Sequence, residues 1–400
     1  MEKLLDGVEV EWKTLRDLCV IGDGLHGTPI YDDNGGYVFI NGNNLDNGVI
    51  VYNDKTKKVD DSMFKKYGIV FTVKDTVFLS INGTIGSVSL FNNEKIVLGK
   101  SVAFFNIKSS ELYSKYLFYF LQTDFSKKYF EIQKTGSTIK NLGLKALRTF
   151  IIPIPPLHIQ NEIVRILDTF TELTAELTAE LTARKKQYTY YRDQLLTFDE
   201  GVPMGSLSDI IIKSYSGATP LANSAGYYNN GSIPWLRTQE VRFVDIYETE
   251  IKITESALKK TAVKWVPENC VIIAISGATA GRSAINKIQL TTNQHCLCLE
   301  INANKANYRY VFHWVSSQYE YIKNLGQGAR GDLNAGIIKA YKIPIPPLQE
   351  QARIVSILDK FDAWTTSITE GLPREIKLRQ KQYEYYRNKL LSFPKEEGNE

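Results

Sequence analysis

The chain has 400 residues, 43% hydrophobic and 23% charged, which is the composition of a globular protein and not of a disordered or fibrous one. Its 48 Lys and Arg against 44 Asp and Glu leave a net charge of +4, compatible with a nucleic-acid partner but too small to establish one. That length exceeds one ordinary core, so at least two domains are expected; no apolar run nears the roughly 20 residues of a membrane span, and the charged start Met1–Lys13 is no signal peptide, which points to the cytoplasm.

Residues 7–152 contain strand-like runs at Gly68–Phe71 and Asp75–Ile81, with Gly and Asn turns at Asn34–Gly36, Asn47-Gly48 and Asn82-Gly83. A helix is expected over Ser110–Ser126, where Leu112, Tyr116, Leu117, Phe120 and Leu121 recur at helical spacing. The phrase Ile152-Pro153-Ile154-Pro155-Pro156-Leu157 then opens a long helix. Ile163, Leu167, Phe170, Leu173, Leu177 and Leu181 form its apolar stripe, and Glu162, Arg165, Glu172, Glu176 and Glu180 line its polar faces. Unbroken from Leu157 to Leu196, it would span about 60 Å. Within it Thr174–Leu181 reads TAELTAEL. A period of four drifts about 40° per unit around a 3.6-residue helix.

Residues 201–343 repeat this plan with little identity. GSIPWLRTQEV (231–241) stands where GGYVFINGNNL (35–45) stood, SGATAGRS (276–283) answers NGTIGSVS (82–89), and LTTNQHCLCLEI (290–301) answers VLGKSVAFFNI (97–107). A helix over Tyr308–Tyr321 answers that over Ser110–Ser126. Ile343-Pro344-Ile345-Pro346-Pro347-Leu348 then brings back the proline phrase, and EQARIVSILDKF (350–361) repeats IQNEIVRILDTF (159–170). Both helical stretches close alike, with KQYTYYRDQLLTF (186–198) and KQYEYYRNKLLSF (381–393). The second stripe runs through Ile354, Leu358, Phe361, Trp364 and Ile368, and should break or restart at Gly371-Leu372-Pro373.

Such a repeat implies an α+β chain: two similar domains of mixed sheet and helix, 1–152 and 201–343, separated by helical segments 153–200 and 344–400. Two single-stripe helices of similar length most simply bury their stripes on each other as an antiparallel coiled coil. Ile163, Leu167 and Phe170, with Ile354, Leu358 and Phe361, are the expected pairing residues. Tyr188, Tyr191, Tyr383 and Tyr386 should pack on the other helix or on a partner protein. Leu4–Val8 resembles Leu195–Val202, as though the chain closed on itself with pseudo-twofold symmetry.

The chemistry-bearing motifs of nucleic-acid enzymes are missing. Adenine methyltransferases need a Gly-rich cofactor loop and an Asn/Asp-Pro-Pro-aromatic loop for the flipped base; the Pro-Pro pairs here follow isoleucine and precede leucine. Gly277–Ser283 is one residue short of a P-loop and has Arg282 where lysine is required, so it reads as a turn between strands. Glu375-Ile376-Lys377 lies on a helix just after Pro373 with no suitably positioned Asp before it and reads as a solvated helix face. Cys19, Cys270, Cys296 and Cys298 have no metal-ligand spacing, and Cys296 and Cys298 alternate as buried strand residues would. His26, His158, His295 and His313 are scattered. No catalytic or metal-ligating residue is therefore expected.

The paired IPIPPL segments with their helix starts, the QYxYYRxxLLxF endings and the TAEL tetrads together resemble the specificity subunits of type I DNA restriction–modification systems, in particular the C subclass, over essentially the whole chain. GSIPWLRTQEV resembles the opening of many target-recognition domains, whereas YVFINGNNL departs from it. The resemblance implies a non-catalytic subunit whose two variable blocks are target-recognition domains, each reading half of a split double-stranded DNA sequence. It implies helices that dock two methyltransferase subunits, with restriction subunits joining them. S-adenosylmethionine, ATP and magnesium would serve those partners, and this chain would bind no cofactor.

Base-edge reading needs Arg, Lys, Asn, Gln, Ser or Thr on positioned loops. The candidates are Asn41, Asn43, Asn44, Asn82, Thr84, Lys100, Ser137, Thr138 and Lys140 in the first block. In the second they are Arg237, Thr238, Gln239, Ser276, Thr279, Arg282, Gln294 and Arg330. Each alone could be a turn or surface residue. If the heads meet one face of B-DNA, half-sites centred about 10 base pairs apart leave an unread gap of about 6–7. A self-contained nucleic-acid-modifying enzyme would need the missing motifs, and a coiled-coil scaffold would leave the divergence of the two blocks unexplained.

Overall fold

The computed structural model describes Gly7 and residues 10–327, 331–366 and 371–394. Of the expected features, the Leu4–Val8 segment (except Gly7), Ile368 and Arg330 lie outside the described residues. By internal contacts the chain divides into two compact units, Met1–Glu176 with Ile376–Glu400, and Leu177–Glu375.

In the first unit an antiparallel sheet has the order Cys19–Asp23, Val102–Ile107, Thr76–Ser80, Val88–Leu90. A second sheet sets Tyr37–Ile40 between Lys57–Val59, antiparallel, and Ile96–Leu98, parallel. The proline phrase is itself a strand: Ile151–Ile154 pairs antiparallel with Glu11–Thr14 before the long helix starts at Leu157. Proline is tolerated there because the ribbon has only two strands and Pro153 needs no donor on its open side. The core gathers Leu15, Phe105, Tyr116, Leu117 and Ile152 around Ile163 and Leu167 of the long helix, with Leu390, Leu391 and Phe393 from the chain's far end.

The second unit has the same plan. Its larger sheet runs Ile211–Ser216, Cys296–Ile301, Val271–Ala274, Ser283–Asn286, Asp245–Ile246, antiparallel except for the last pair. Its smaller sheet pairs Ile233–Leu236 in parallel with Leu290–Thr292, as Tyr37–Ile40 pairs with Ile96–Leu98. Lys342–Pro344 pairs with Met204–Ser206. Ile354 and Leu358 are fully buried with Leu207, Leu297 and Tyr310.

Most of the frame contacts recur in both units. Tyr116 Oη donates to the Pro153 carbonyl at 2.9 Å and Tyr310 Oη to that of Pro344 at 2.9 Å. Gln160, fully buried, accepts from the Tyr113 amide (2.9 Å) and donates to the carbonyls of Pro155 (2.8 Å) and Glu111 (2.6 Å). Gln351, also fully buried, accepts from the Asn307 amide and donates to the Pro346 carbonyl, both at 2.8 Å. Asp168 holds Lys115 and the Tyr119 hydroxyl at 2.7 Å each; Asp359 holds Arg309 and His313 at 2.7 Å each. Each helix start is thereby bolted to the domain that precedes it.

The long helix runs unbroken from Leu157 to Leu195, 39 residues. Its threonines are accommodated by bonding back: Thr171, Thr174 and Thr182 donate to the carbonyls of Leu167, Phe170 and Thr178. The expected stripe is only partly buried. Ile163 and Leu167 are in the core, Phe170, Leu177 and Leu181 are half-buried, and Leu173 is exposed, where the period of four departs from the helix repeat. The second stretch is helical over Leu348–Thr366 and again over Gly371–Leu390. Gly371 takes a left-handed φ of 78° and Pro373 sits in the first turn, where a missing amide donor costs no bond. Within the first unit Phe170 stacks on Tyr386 with centroids 5.4 Å apart. Within the second, Tyr191 stacks on Phe361 at 5.5 Å while Arg184 lies over Trp364 at 5.6 Å, an antiparallel pairing. Tyr188 is half-buried near Phe361, and Tyr383 packs edge-on against Tyr119.

Two local expectations are corrected. Gly68–Phe71 is not a strand: the Gly68 amide caps the helix Asp61–Tyr67 by bonding the Phe64 carbonyl, Val70 is 86% exposed, and Phe71 packs against Phe78, Phe91 and Phe104. The helix over Ser110–Ser126 is two, Ser114–Phe120 and Asp124–Gln133, because Thr123 caps a new start by accepting from the Ser126 amide. Its counterpart divides likewise into Tyr308–Ser317 and Tyr319–Asn324.

Candidate nucleic-acid interface

In each unit the candidate loops leave the same ends of the same strands and are laced to one another. In the first, the strand Tyr37–Ile40 runs into a tight turn at Gly42–Asn44. Ser101 Oγ accepts from the Gly42 amide (2.9 Å) and donates to Asn41 Oδ1 (3.1 Å), while its carbonyl accepts from the Ile81 amide (2.9 Å). The Gly83 amide donates to the Lys140 carbonyl at 3.1 Å and the Leu142 amide to the Ile81 carbonyl at 2.8 Å. Asn41, Asn43, Asn82, Thr84, Lys100 and the Ser137, Thr138, Lys140 loop are thus brought to one continuous edge. Asn82 and Lys100 line a cleft of about 440 Å³ with Asp23, His26 and Asn141.

The second unit repeats the lacing. The Ile275 amide donates to the His295 carbonyl (2.9 Å) and the Leu333 amide to the Ile275 carbonyl (2.8 Å), the counterparts of Ile81–Ser101 and Leu142–Ile81. Ser276 Oγ donates to Asp332 Oδ1 at 2.7 Å, joining the 276–279 turn to the loop that leads to Leu333. Thr219 Oγ1 donates to Gln294 Oε1 at 2.6 Å. Both turns depend on left-handed glycines: Gly83 and Gly86 at φ 72° and 102°, Gly277 and Gly281 at 72° and 86°. The Gly86 amide bonds the Ser80 carbonyl and the Gly281 amide bonds that of Ala274, so the second turn is one residue longer and Arg282 stands opposite Ser87.

Arg237-Thr238-Gln239-Glu240 superposes in role on Asn41-Gly42-Asn43-Asn44. The Arg237 amide donates to Glu240 Oε1 at 3.1 Å, and the Asn41 amide to Asn44 Oδ1 at 2.9 Å. The YVFINGNNL segment, divergent in letters, therefore builds the same turn.

Among the candidates Asn43, Thr84, Lys100, Ser137, Thr138, Lys140, Gln239 and Gln294 are exposed, and Asn41, Asn82, Arg237, Thr238, Ser276, Thr279 and Arg282 are partly so. Asn44 is 3% exposed, and its amide donates to the Val51 carbonyl and to Thr56 Oγ1. That side chain closes the turn and has no free edge for a base. Sequence reading missed Ser101, Asp332, Glu240 and Glu250, whose acceptors and donors order the loops, although Ser101 sits beside Lys100 in an answering segment.

Burial pushes the thiols of Cys19, Cys270 and Cys296 up to about 12 and that of Cys298 well above its ordinary value, so none is a ready nucleophile. Cys296 and Cys298 share one strand and one apolar cluster. Among the described residues no group of three or more His, Cys, Asp or Glu is placed to hold a metal ion, and no helix is long and apolar enough to cross a membrane.

Two domains of one topology, with a shared frame and unlike polar loops, define the class of paired recognition modules. Residues 7–184 and 200–378 each match the family model described as the type I restriction modification DNA specificity domain. The chain is 36% identical to the specificity subunit of the type I restriction enzyme EcoR124I/EcoR124II of Escherichia coli, over 99% of this chain and 98% of the relative. It is 31% identical to a putative type I restriction enzyme specificity subunit of Haemophilus influenzae, over 98% of both. Its fold is similar to the solved S subunit of a type I restriction-modification system from M. genitalium, with a TM-score of 0.58, 18% identity and 98% of each chain covered. A structure from a study of complex assembly and conformational transition in the type I R-M system gives a TM-score of 0.61 at 14% identity, over 97% of this chain and 98% of that one. The chain belongs to the type I restriction–modification specificity subunits, the non-catalytic component of those systems.

Proposed function

We propose that this chain selects the DNA sequence on which a type I restriction–modification complex acts, the first domain reading one half of a bipartite target and the second the other. One observation carries the reading: the main frame contacts recur in both domains, while the side chains on their equivalent loops differ. Asn41 stands opposite Arg237, Asn43 opposite Gln239, Lys100 opposite Gln294 and Ser87 opposite Arg282. Donor and acceptor sets that differ at fixed positions read different base edges. Exposed lysines beside them, such as Lys100 and Lys140, would add phosphate contacts that carry affinity without sequence information.

The helices would hold the two readers and dock two methyltransferase subunits, with restriction subunits completing the enzyme in the cytoplasm. Adenine-N6 methyl transfer from S-adenosylmethionine and ATP- and magnesium-dependent cleavage would belong to those partners. An unread gap of about 6–7 base pairs follows from half-sites of three or four base pairs centred one DNA turn apart. Co-expression with the methyltransferase subunit and sequencing of methylated sites tests this. The expected result is two short specified blocks around an unspecified gap; one continuous motif, or methylation without sequence preference, would overturn it.

A further inference from the structure

Arg237 leaves the end of the strand Ile233–Leu236 and is 24% exposed at its side chain. Its guanidinium is held on two sides. Glu240, 9% exposed, is fixed by two backbone donors: Oε1 accepts from the Arg237 amide at 3.1 Å and Oε2 from the Glu250 amide at 2.8 Å. That rigid carboxylate lies 3.8 Å from Arg237 Nε. Glu250 Oε2 takes a hydrogen bond from Nη2 at 2.7 Å. The outer edge, Nη1 and Nη2, faces Gln239. With its amide turned so that the carbonyl meets these donors, Gln239 accepts from both at 2.9 Å. Gln239 is exposed, and its backbone is pinned separately, because its carbonyl accepts from Arg242 Nε at 2.6 Å.

A guanidinium held by two carboxylates, whose two terminal donors converge on one exposed acceptor, is prepared for a ligand with two acceptors side by side. Guanine offers that pair, O6 and N7, in the major groove. We propose that Arg237 reads a guanine by its Nη1/Nη2 edge, that Glu240 and Glu250 position it, and that the Gln239 carbonyl holds the place of the base in the free protein. The exchange replaces one shared acceptor with two separate ones, and the flanking carboxylates weaken attraction to phosphates, favouring base reading over general affinity. The first domain has Asn41 and Asn44 at these positions, so the device belongs to the second half-site alone.

The inference rests on the proposal that residues 201–343 read one half of the target, and its test separates the two. The full chain and its Arg237→Lys, Glu250→Gln and Gln239→Ala variants are each co-expressed with the methyltransferase subunit, and methylated sites are sequenced. Lysine keeps the charge for Glu250 but cannot form the planar two-donor contact. Arg237→Lys should lose about tenfold to a hundredfold of the preference for guanine at one position, leaving the other half-site intact. Glu250→Gln should relax the same position less, and Gln239→Ala should retain it. An unchanged motif in Arg237→Lys, or a uniform loss over all sites with a smaller salt dependence, would make Arg237 a structural or phosphate-binding residue and overturn the inference. A wild-type chain that specifies no bipartite motif would instead overturn the functional reading beneath it.

Discussion

Replacing Gln351 with methionine keeps the side chain's length and removes both of its polar functions from a site with no solvent access. The Asn307 amide then loses its acceptor and the Pro346 carbonyl its donor. A buried group left without its partner costs about 1–3 kcal/mol, so with two such groups the substitution should destabilise the second unit by about 2–6 kcal/mol. Gln160→Met should cost the first unit a similar amount or somewhat more, since it also frees the Glu111 carbonyl. Urea unfolding followed by far-ultraviolet circular dichroism on the full chain measures both. Because the glutamine joins helix to domain, the loss should appear as a lower midpoint and as weaker retention of the methyltransferase subunit. A change below about 0.5 kcal/mol, the ordinary range for surface substitutions, would refute the argument that these glutamines fasten each helix to its domain.

Leu167→Ala and Leu358→Ala each empty a fully buried site, and each should cost about 2–5 kcal/mol in the same assay; an unchanged midpoint for either would contradict its place in the core. Burial works to raise the carboxyl of Asp359, but the hydrogen bonds from His313 and Arg309 outweigh it and hold the group below its ordinary 3.8. The depressed value means that its contribution is present above 3.8 and lost as pH falls below it toward the folded value. Asp359→Asn should therefore flatten the acid limb of the stability curve, and an unchanged limb would exclude this ion network as a contributor. Inserting one further Thr-Ala-Glu-Leu unit after Leu181 lengthens the helix by about 6 Å. Methylated-site sequencing should then show a gap about one base pair wider with both half-sites unchanged, since one base-pair step is about 3.4 Å; an unchanged gap would remove this helix as the ruler.

The frame was legible because it is written twice: the proline phrase, the stripe residues Ile163, Leu167, Ile354 and Leu358, and the closing tyrosines recur at matching places. Gln160 and Gln351 recur as well, at the same offset from the prolines, yet a lone polar letter on a helix gives no sign that it is buried until its partners across the fold are known. The loops were legible as positions but not as orientations. Asn43 and Asn44 are the same residue side by side, and only the neighbours Val51 and Thr56 send one inward while the other faces solvent. Gly68–Phe71 shows the limit of short apolar runs: without alternation, an exposed Val70 and a packed Phe71 look alike. The division of the helix at Thr123 had a local signal, a threonine followed by Asp124 and Ser126, that the apolar spacing of Tyr116 to Leu121 overshadowed.

Exchange of residues 201–343 for the equivalent block of a relative, on an otherwise unchanged chain co-expressed with its methyltransferase subunit, tests the central claim most directly. The account predicts that sequencing of methylated sites will show one half-site replaced, the other half-site retained and the gap preserved. A change in both half-sites, or in neither, would contradict the division of reading between two independent domains.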